Sequence, residues 1–559
     1  MDEFRKMEEP ALREWKECCE HADSVQERLL LEVLDKNSGT EFGRKYNFSG
    51  MKSVEEYQAL MPVTDYEDYE DFIDRGIRGE RCLLTEDEPV FYCISSGSTH
   101  LPKYLPVTKE GILLQKAYMM DAVAETVRRD TGMTDEKLFG KIFETGQFFM
   151  TFMPDGTMNG VRSGALHRWL EQRGEICWER YTAPKEVLFP EKLEDMLYVK
   201  LRFALACPSV TGIHGVFVHR LVGLFGYILQ NWEALLDDME TGGVSDCFSV
   251  SEPWKAYLRD RLPPNAQRAA QLRAIGTDHR EEGLVRKIWP DIRYIRVIGG
   301  SIFASYMEKL NVFVGELPIH YYIYAASEGI FGIPLSLGGE DADYVLIPDA
   351  CFFEFIPESG KAGDSREVRT FRELEQGKRY ELLITTRSGL YRYAMQDVIE
   401  VTGFFGKAPI VRVCYRKNQV LDVADEKMNL RQLESAVKGF EEETDCRIRG
   451  YFSDEDLTGF LPSYRLCIEL EKGVLPPDAP ERMDRCLKEN CLGYKSGRNM
   501  GEIGRPGIVE LKRGSFRAYE KFLADSGYRV EQNKPLRILR TQEQRDFFKN
   551  YIEDRGGRG

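Results

Sequence analysis

The sequence predicts an α/β protein in two parts: a large amino-terminal α/β domain containing a β-rich subdomain, and a smaller α+β carboxy-terminal domain. Three observations carry that reading. Short β-like runs at 90–94, 292–298 and 319–325 each break into a small polar loop, Ser95-Ser96-Gly97-Ser98-Thr99, Gly299-Gly300-Ser301 and Ser327-Glu328-Gly329 respectively. Helical patterns fill the intervals, at 111–129, 209–239 and 265–288. Short β runs with tight turns take over between 344 and 405, and from 415 a new mixture of helices and strands begins. Ligands of open α/β sheets bind at the carboxyl ends of the strands, so the polar loops are expected to share one site.

The first element is an amphipathic helix: Leu12, Trp15, Cys19, Ala22, Gln26, Leu29, Leu30 and Val33 fall mostly at three- and four-residue steps, and Asn37-Ser38-Gly39 stops it. In the β-rich stretch the runs are 345–347, 351–355, 380–385 and 390–393, the last two joined by a hairpin-type turn at Arg387-Ser388-Gly389. Residues 358–378 are charged and read as a solvated loop with some helix. Beyond 415 the pattern gives helices at 430–440, 480–490, 514–524 and 543–554, with strands at 446–452, 463–470 and 508–511. The expected domains are therefore 1–414, with the β-rich subdomain at 344–405, and 415–559.

Composition narrows the function. A chain of 559 residues with 42% hydrophobic and 30% charged residues is a folded globular protein with room for a cleft between domains. A formal net charge of −16 opposes binding to nucleic acid or an anionic membrane, both of which need a positive field. A small nucleotide remains compatible, since a few local cations act within a Debye length. The thirteen cysteines form no C-x-x-C pair and no histidine stands at metal-ligand spacing, which reads as a reduced, cytoplasmic protein. The start, Met-Asp-Glu-Phe-Arg-Lys, has no apolar signal core, and the apolar run 215–229 is broken by His219 and Arg220, so it reads as a buried helix. A monomer is the default expectation.

The loop after the first β run has the chemistry of a phosphate cradle. Ser95, Ser96, Ser98 and Thr99 offer hydroxyls, Gly97 permits close approach, and Lys103 adds a mobile positive charge. Pro102 before the lysine and Tyr104 after it exclude a Walker A loop. Taken alone, a Ser/Gly turn is more often plain loop chemistry.

The run SSGSTHLPKYLP at 95–106 resembles the phosphate loop of the adenylate-forming superfamily of acyl-CoA ligases, adenylation domains and luciferases. NSGTEFGRKYNF at 37–48, MPVTDYEDY at 61–69, YAASEG at 324–329, FFEFIP at 352–357, GLYRYAMQDVI at 389–399 and VTGF at 401–404 resemble one branch of it. Asn490, Tyr494, Arg498, Gly501 and QNKPLR at 532–537 continue the resemblance. That branch is the Gretchen Hagen family of acyl acid amido synthetases, and the landmarks span nearly the whole chain in order.

The resemblance implies an adenylate-forming architecture with a mobile carboxy-terminal domain, and ATP and Mg2+ as requirements. A carboxylic acid would be activated as its acyl-adenylate and passed to an amino acid or other amine. Tyr324 would lie against adenine, Ser327 would contact the α-phosphate or the metal, and Glu328 would ligand Mg2+, as a hard carboxylate oxygen can. Asp397 would accept hydrogen bonds from both ribose hydroxyls. Arg416 matches the arginine of the inter-domain junction, and Lys534 the lysine that acts in adenylation, neutralising developing charge alongside Lys103. Tyr391 and Arg392 read as structural, a core aromatic and a strand-face ion pair.

Two positions depart from the pattern: His100 and Gln396 stand where glycine is usual. A side chain at either crowds the loop if the backbone there has positive φ. A catalytically degenerate nucleotide-binding protein therefore stays open, and so does an acyl-CoA-type ligase, which forms the same adenylate but passes the acyl group to a thiol acceptor. The acid is not specified by the motifs; indole, benzoate, jasmonate-like and fatty acids are all open, with pocket walls expected at 209–230 and 148–162.

Overall fold

The computed structural model describes the chain except for residues 1–12, 96–102, 123–139, 193–195, 276–280, 300–303, 335–341, 359–367, 417–420, 422, 425, 427, 429, 526–535, 537, 540–541 and 553–559. The described residues fall into two compact units, one within 1–417 and the other within 418–559.

The first unit is α/β, built on three sheets. In one, β1 (Pro89–Ser95) pairs antiparallel with β2 (Lys103–Thr108) and parallel with β5 (Met158–Gly160), which pairs with β4 (Met150–Phe152). A second is wholly parallel, in the order β3 (Lys141–Glu144), β6 (Val210–Phe217), β7 (Tyr294–Ile298), β8 (Ile319–Tyr321). The third is antiparallel and seven-stranded, β12-β13-β14-β15-β11-β10-β9. Its strands are β9 (Tyr324–Ala325), β10 (Ile330–Pro334), β11 (Asp343–Leu346), β12 (Cys351–Pro357), β13 (Arg379–Thr386), β14 (Tyr393–Phe405) and β15 (Ala408–Arg416).

This corrects the expectation of a single sheet edge. The run 90–94 lies in the first sheet and 292–298 in the parallel one, and 319–325 is not one strand: its first half pairs with β7 and its last two residues with β10 in the seven-stranded sheet. Apolar alternation marks a strand but says nothing about its partner. The pattern read as helix over 209–239 is also divided, into β6, a helix Val218–Gln230 and a helix Trp232–Thr241. Two glycines let β6 pack: a Cβ at Gly212 would meet the Tyr294 ring at 2.7 Å, and one at Gly215 would meet Leu221 at 2.5 Å. The helix Val218–Gln230 buries Leu221, Phe225 and Ile228 completely, as expected for the apolar run. Among the described residues no helix is long and apolar enough to cross a membrane.

The helix Ala22–Lys36 ends at Asn37 as its sequence dictates and buries Val25, Leu29, Leu30, Val33 and Leu34. Gln26 on the same face is a polar clamp. Its amide donates to the Cys351 carbonyl at 2.8 Å and its oxygen accepts from Phe353 N at 2.7 Å, fastening the helix to β12.

In the second unit β16 (Arg447–Asp456) and β17 (Ser463–Lys472) form an antiparallel pair extended in parallel by β18 (Gly507–Glu510). Helices Leu430–Thr444 and Ala479–Asn490 cover it with an apolar core around Leu433, Phe440, Leu466 and Leu487. The tail landmarks serve this core. Tyr494 and Arg498 both donate to Asp484 at 2.7 Å, Arg498 also holds the Ile503 carbonyl at 2.6 Å, and Gly501 takes φ +68°.

Candidate active site

Asp397 is delivered by a break in a strand. Between β13 and β14 the register jumps from Leu383↔Ala394 to Glu381↔Val398, so three residues of β14 oppose one of β13. Within that bulge Gln396 has φ +61°, the left-handed conformation that favours glycine. Gln396 therefore adopts the backbone a glycine would, at a cost of about 1 kcal/mol, and the bulge still forms. Asp397 follows it, opposite Arg416 on β15.

The Tyr324 hydroxyl donates to Asp397 Oδ2 at 2.7 Å, and both residues are buried. This bond brings together residues 73 positions apart that the sequence placed in separate motifs. The Tyr324 ring packs edge-on against Phe331, with centroids 5.1 Å apart, so the tyrosine orients the carboxylate as well as presenting an aromatic surface.

Three residues beyond Tyr324, the chain turns sharply, Ala326 N donating to the Gly329 carbonyl at 2.9 Å. Ser327 Oγ reaches the Ile94 carbonyl at 3.4 Å, joining this turn to the end of β1. Arg162, the first residue of the helix Arg162–Gln172, holds the Ser327 carbonyl through Nη2 at 2.6 Å. No sequence motif pointed to Arg162, although Gly174, at φ +68°, marks the end of the helix that carries it. Glu328 is 7% exposed and makes no hydrogen bond or ion pair among the described residues. Its field and that of Arg162 both reach Cys93, whose thiol burial pushes up, Arg162 opposing and Glu328 adding to the shift.

Lys103 opens β2 directly opposite Ser95, and its Nζ lies 4.9 Å from the centre of the Tyr66 ring, a cation–π contact. Tyr66 is fixed in turn by accepting from Tyr104 N at 3.0 Å. Ser96, Gly97, Ser98, Thr99, His100 and Lys534 lie outside the described residues, as do the side chains of Ser95 and Arg416.

Several family-like landmarks form scaffold around the bulge. Arg392 is 1% exposed; its Nε meets Glu354 at 3.1 Å and its Nη1 donates to the Met61 and Gln58 carbonyls at 2.6 and 2.9 Å. Burial pushes the Glu354 carboxyl up, against the attraction of Arg392. Tyr391 stacks on Phe42 at 5.1 Å and donates to the Leu84 carbonyl at 2.7 Å. Thr64 and Tyr69 both donate to the Tyr391 carbonyl, at 2.7 and 2.8 Å. The segments 37–48 and 61–69 thus brace the strand that carries Asp397. Of the expected acid-pocket walls, Phe148 is core, stacked on His167 at 4.1 Å, while Phe152 and Met158 line an open hollow of about 580 Å³ with Trp169.

A three-sheet α/β unit followed by a small α+β unit is the architecture of the adenylate-forming enzymes. A solved 2-hydroxyisobutyryl-CoA ligase shares it at TM-score 0.52 and 12% identity, over 95% of this chain and 92% of that one. The solved AtGH3.15 acyl acid amido synthetase in complex with 2,4-DB shares it at TM-score 0.65 and 22% identity, over 97% of this chain and 96% of that one. Within that fold class the chain belongs to the GH3 family: residues 11–319 match the GH3 family N-terminal domain, 344–416 the central domain and 431–543 the C-terminal domain. It is 28% identical over 548 residues to indole-3-acetic acid-amido synthetase GH3.3 of Arabidopsis thaliana, covering 95% of this chain and 91% of that protein. To indole-3-acetic acid-amido synthetase GH3.8 of Oryza sativa subsp. indica it is 29% identical over 547 residues, covering 93% and 88%.

Proposed function

We propose that this chain is an ATP-dependent acyl acid amido synthetase, which activates a carboxylic acid as acyl-AMP and transfers the acyl group to the amine of an amino acid. The observation that carries the reading is the Tyr324–Asp397 hydrogen bond beside the Ser327-Glu328 turn, in a chain related along its length to amido synthetases. Asp397, oriented by Tyr324, accepts from the ribose hydroxyls of ATP, and the Tyr324 ring borders the base. Lys103, with Ser95, Ser96, Gly97, Ser98 and Thr99, receives the phosphates, and Ser327 faces the α-phosphate. Arg416, opposite Asp397, marks the junction to the second unit.

Glu328 fits a cation: it is a buried carboxylate without a donor among the described residues, which is costly unless a positive charge meets it. Glu328 would hold Mg2+ through a hard carboxylate oxygen, the donor type that ion takes. When bound, Mg2+ would neutralise phosphate charge.

The substrate carboxylate oxygen attacks the α-phosphorus and pyrophosphate leaves. The amine nitrogen then attacks the acyl carbon, AMP leaves and the amine gives up a proton. No protein nucleophile takes part; Lys103 and Lys534 stabilise charge and the hydroxyls fix oxygens in place. The thirteen free thiols support a reducing, cytoplasmic setting, and we take the working form to be a monomer.

The test supplies protein, ATP, Mg2+ and a pool of acids with either amino acids or coenzyme A, and identifies the conjugate by mass spectrometry. An amide with stoichiometric AMP is expected. A thioester without amide would make the chain an acyl-CoA-type ligase instead.

A further inference from the structure

The parallel sheet carries a row of ionisable side chains on one face. Glu144 on β3 is the register partner of His214 on β6, His214 of Arg296 on β7, and Arg296 of His320 on β8. Register partners in a sheet point to the same face, so four adjacent strands each contribute one polar group at the same level. Around them the interior of a parallel sheet is normally apolar.

The row is not a closed ion-pair network. His214 sits 3.7 Å from Glu144 through Nδ1 and 3.0 Å from the Tyr294 hydroxyl through Nε2, and Glu144 accepts from Gly146 N at 2.7 Å. Arg296 has none of this. Tyr294 and Tyr322 flank its guanidinium at 5.9 and 5.7 Å, and its Nε is sealed from solvent with no hydrogen-bond partner among the described residues. No carboxylate among them lies within ion-pair distance of it. His320, 3% exposed, likewise has Nε2 buried and unpartnered.

Electrostatics give the row a positive sign. Burial and Arg296 push the His320 imidazole down to about 3, and burial, then Arg296, push His214 well below its usual value. Both are neutral at physiological pH. Burial raises Glu144 to about 7, so near neutral pH it carries only part of a negative charge against the full positive charge of Arg296. A half-buried guanidinium whose sealed Nε meets no acceptor among the described residues, flanked by two aromatic rings, suits an anion.

The row also lies beside the reaction centre. Tyr322, which flanks Arg296, is two residues from Tyr324, which holds Asp397; along extended chain that is about 7 Å. The helix whose Arg162 grips the Ser327 carbonyl carries His167, close enough to act on His214.

Resting on the proposed adenylating activity, we infer that Arg296, with His320 beside it, receives a second carboxylate on the acid substrate, so that the preferred substrates are dicarboxylic acids. One carboxylate would be adenylated near Ser327 while the other pairs with the guanidinium. A carboxylate could also come from the acceptor amino acid, but pyrophosphate exchange proceeds without an acceptor and separates the two.

The experiment measures ATP–pyrophosphate exchange with chain-length-matched pairs of acids, such as glutarate with valerate, adipate with hexanoate and phthalate with benzoate. The wild type should favour the dicarboxylate of at least one pair by about tenfold or more, and Arg296→Gln should reduce that ratio about tenfold, with Arg296→Lys intermediate. Stabilisation of the folded protein by the same dicarboxylate in a thermal melt should be lost in Arg296→Gln, a readout independent of turnover. Exchange with a wild-type ratio near one, or a ratio that Arg296→Gln leaves unmoved, overturns this inference alone. So does an Arg296→Gln effect confined to the acceptor step. A folded protein that exchanges with no acid overturns the adenylating reading as well.

Discussion

Arg392 and Arg296 both sit in sheets of the first unit, and they differ in what neutralises them. Arg392 is wholly buried and met by a carboxylate and two backbone carbonyls, Nη2 alone having no partner among the described residues. Arg296 is half-buried and met by two aromatic rings. The first pattern is that of scaffold, because taking a guanidinium out of water is tolerable only when a carboxylate and most of its acceptors lie within the protein. The second leaves donors for something that arrives from outside. The same contrast separates the acids: Glu354 is closed off by Arg392 and Gln58, whereas Glu328 has no partner among the described residues.

Four experiments would break or sharpen that contrast. The largest effect belongs to Arg392→Met, which strands Glu354 without its cation and should cost about 3–5 kcal/mol in urea unfolding. Adding Glu354→Gln should recover much of the loss; an Arg392→Met protein as stable as wild type would show that the pair is not scaffold. Next, Lys534→Ala should slow acid-dependent pyrophosphate exchange by about 10²-fold, near 3 kcal/mol, with the melting temperature unmoved. Unchanged exchange would remove Lys534 from the mechanism. Gln396→Gly relieves a left-handed side chain in the Asp397 bulge and should stabilise the fold by about 1 kcal/mol without loss of exchange, read by chemical denaturation. A destabilised variant would mean that the glutamine side chain supports the bulge.

The last effect is pH-dependent. Glu144 binds its proton more tightly in the folded chain, near 7, than its usual value of 4.5 allows in the unfolded one. Its contribution to stability is complete below 4.5 and is lost as pH rises through 7. Glu144→Gln keeps the amide acceptor for Gly146 N and removes the titration. Its melting temperature should exceed that of wild type more at pH 8 than at pH 5, and parallel profiles would contradict the assignment.

Much of the architecture was legible because it is local. The helix Ala22–Lys36, β1 and the elements of the second unit follow from apolar spacing and breakers. Strand partnership was not, since residues 319–325 have one continuous alternation but serve two sheets. Val210–Phe217 looked helical because it runs into an apolar helix with no breaker between, and its glycines make sense only against Tyr294 and Leu221. The candidate site divided in the same way. Glu328 and Asp397 were visible as motif acids, and the unusual Gln396 was visible as a missing glycine. The hydrogen bond that joins Tyr324 to Asp397, the grip of Arg162 on Ser327 and the Glu144–His214–Arg296–His320 row were not. Each depends on register between distant segments, and one polar residue in an apolar strand reads as a satisfied core group until its neighbours are known.

The central claim is that the Tyr324–Asp397 site adenylates a carboxylic acid, and ATP–pyrophosphate exchange tests it most directly. Across a panel of carboxylic acids with ATP and Mg2+, exchange should appear only when an acid is present, and Asp397→Ala should raise the ATP concentration needed for half-maximal rate about tenfold or more. Exchange with no acid in the panel, or an identical ATP dependence in Asp397→Ala, would contradict the account.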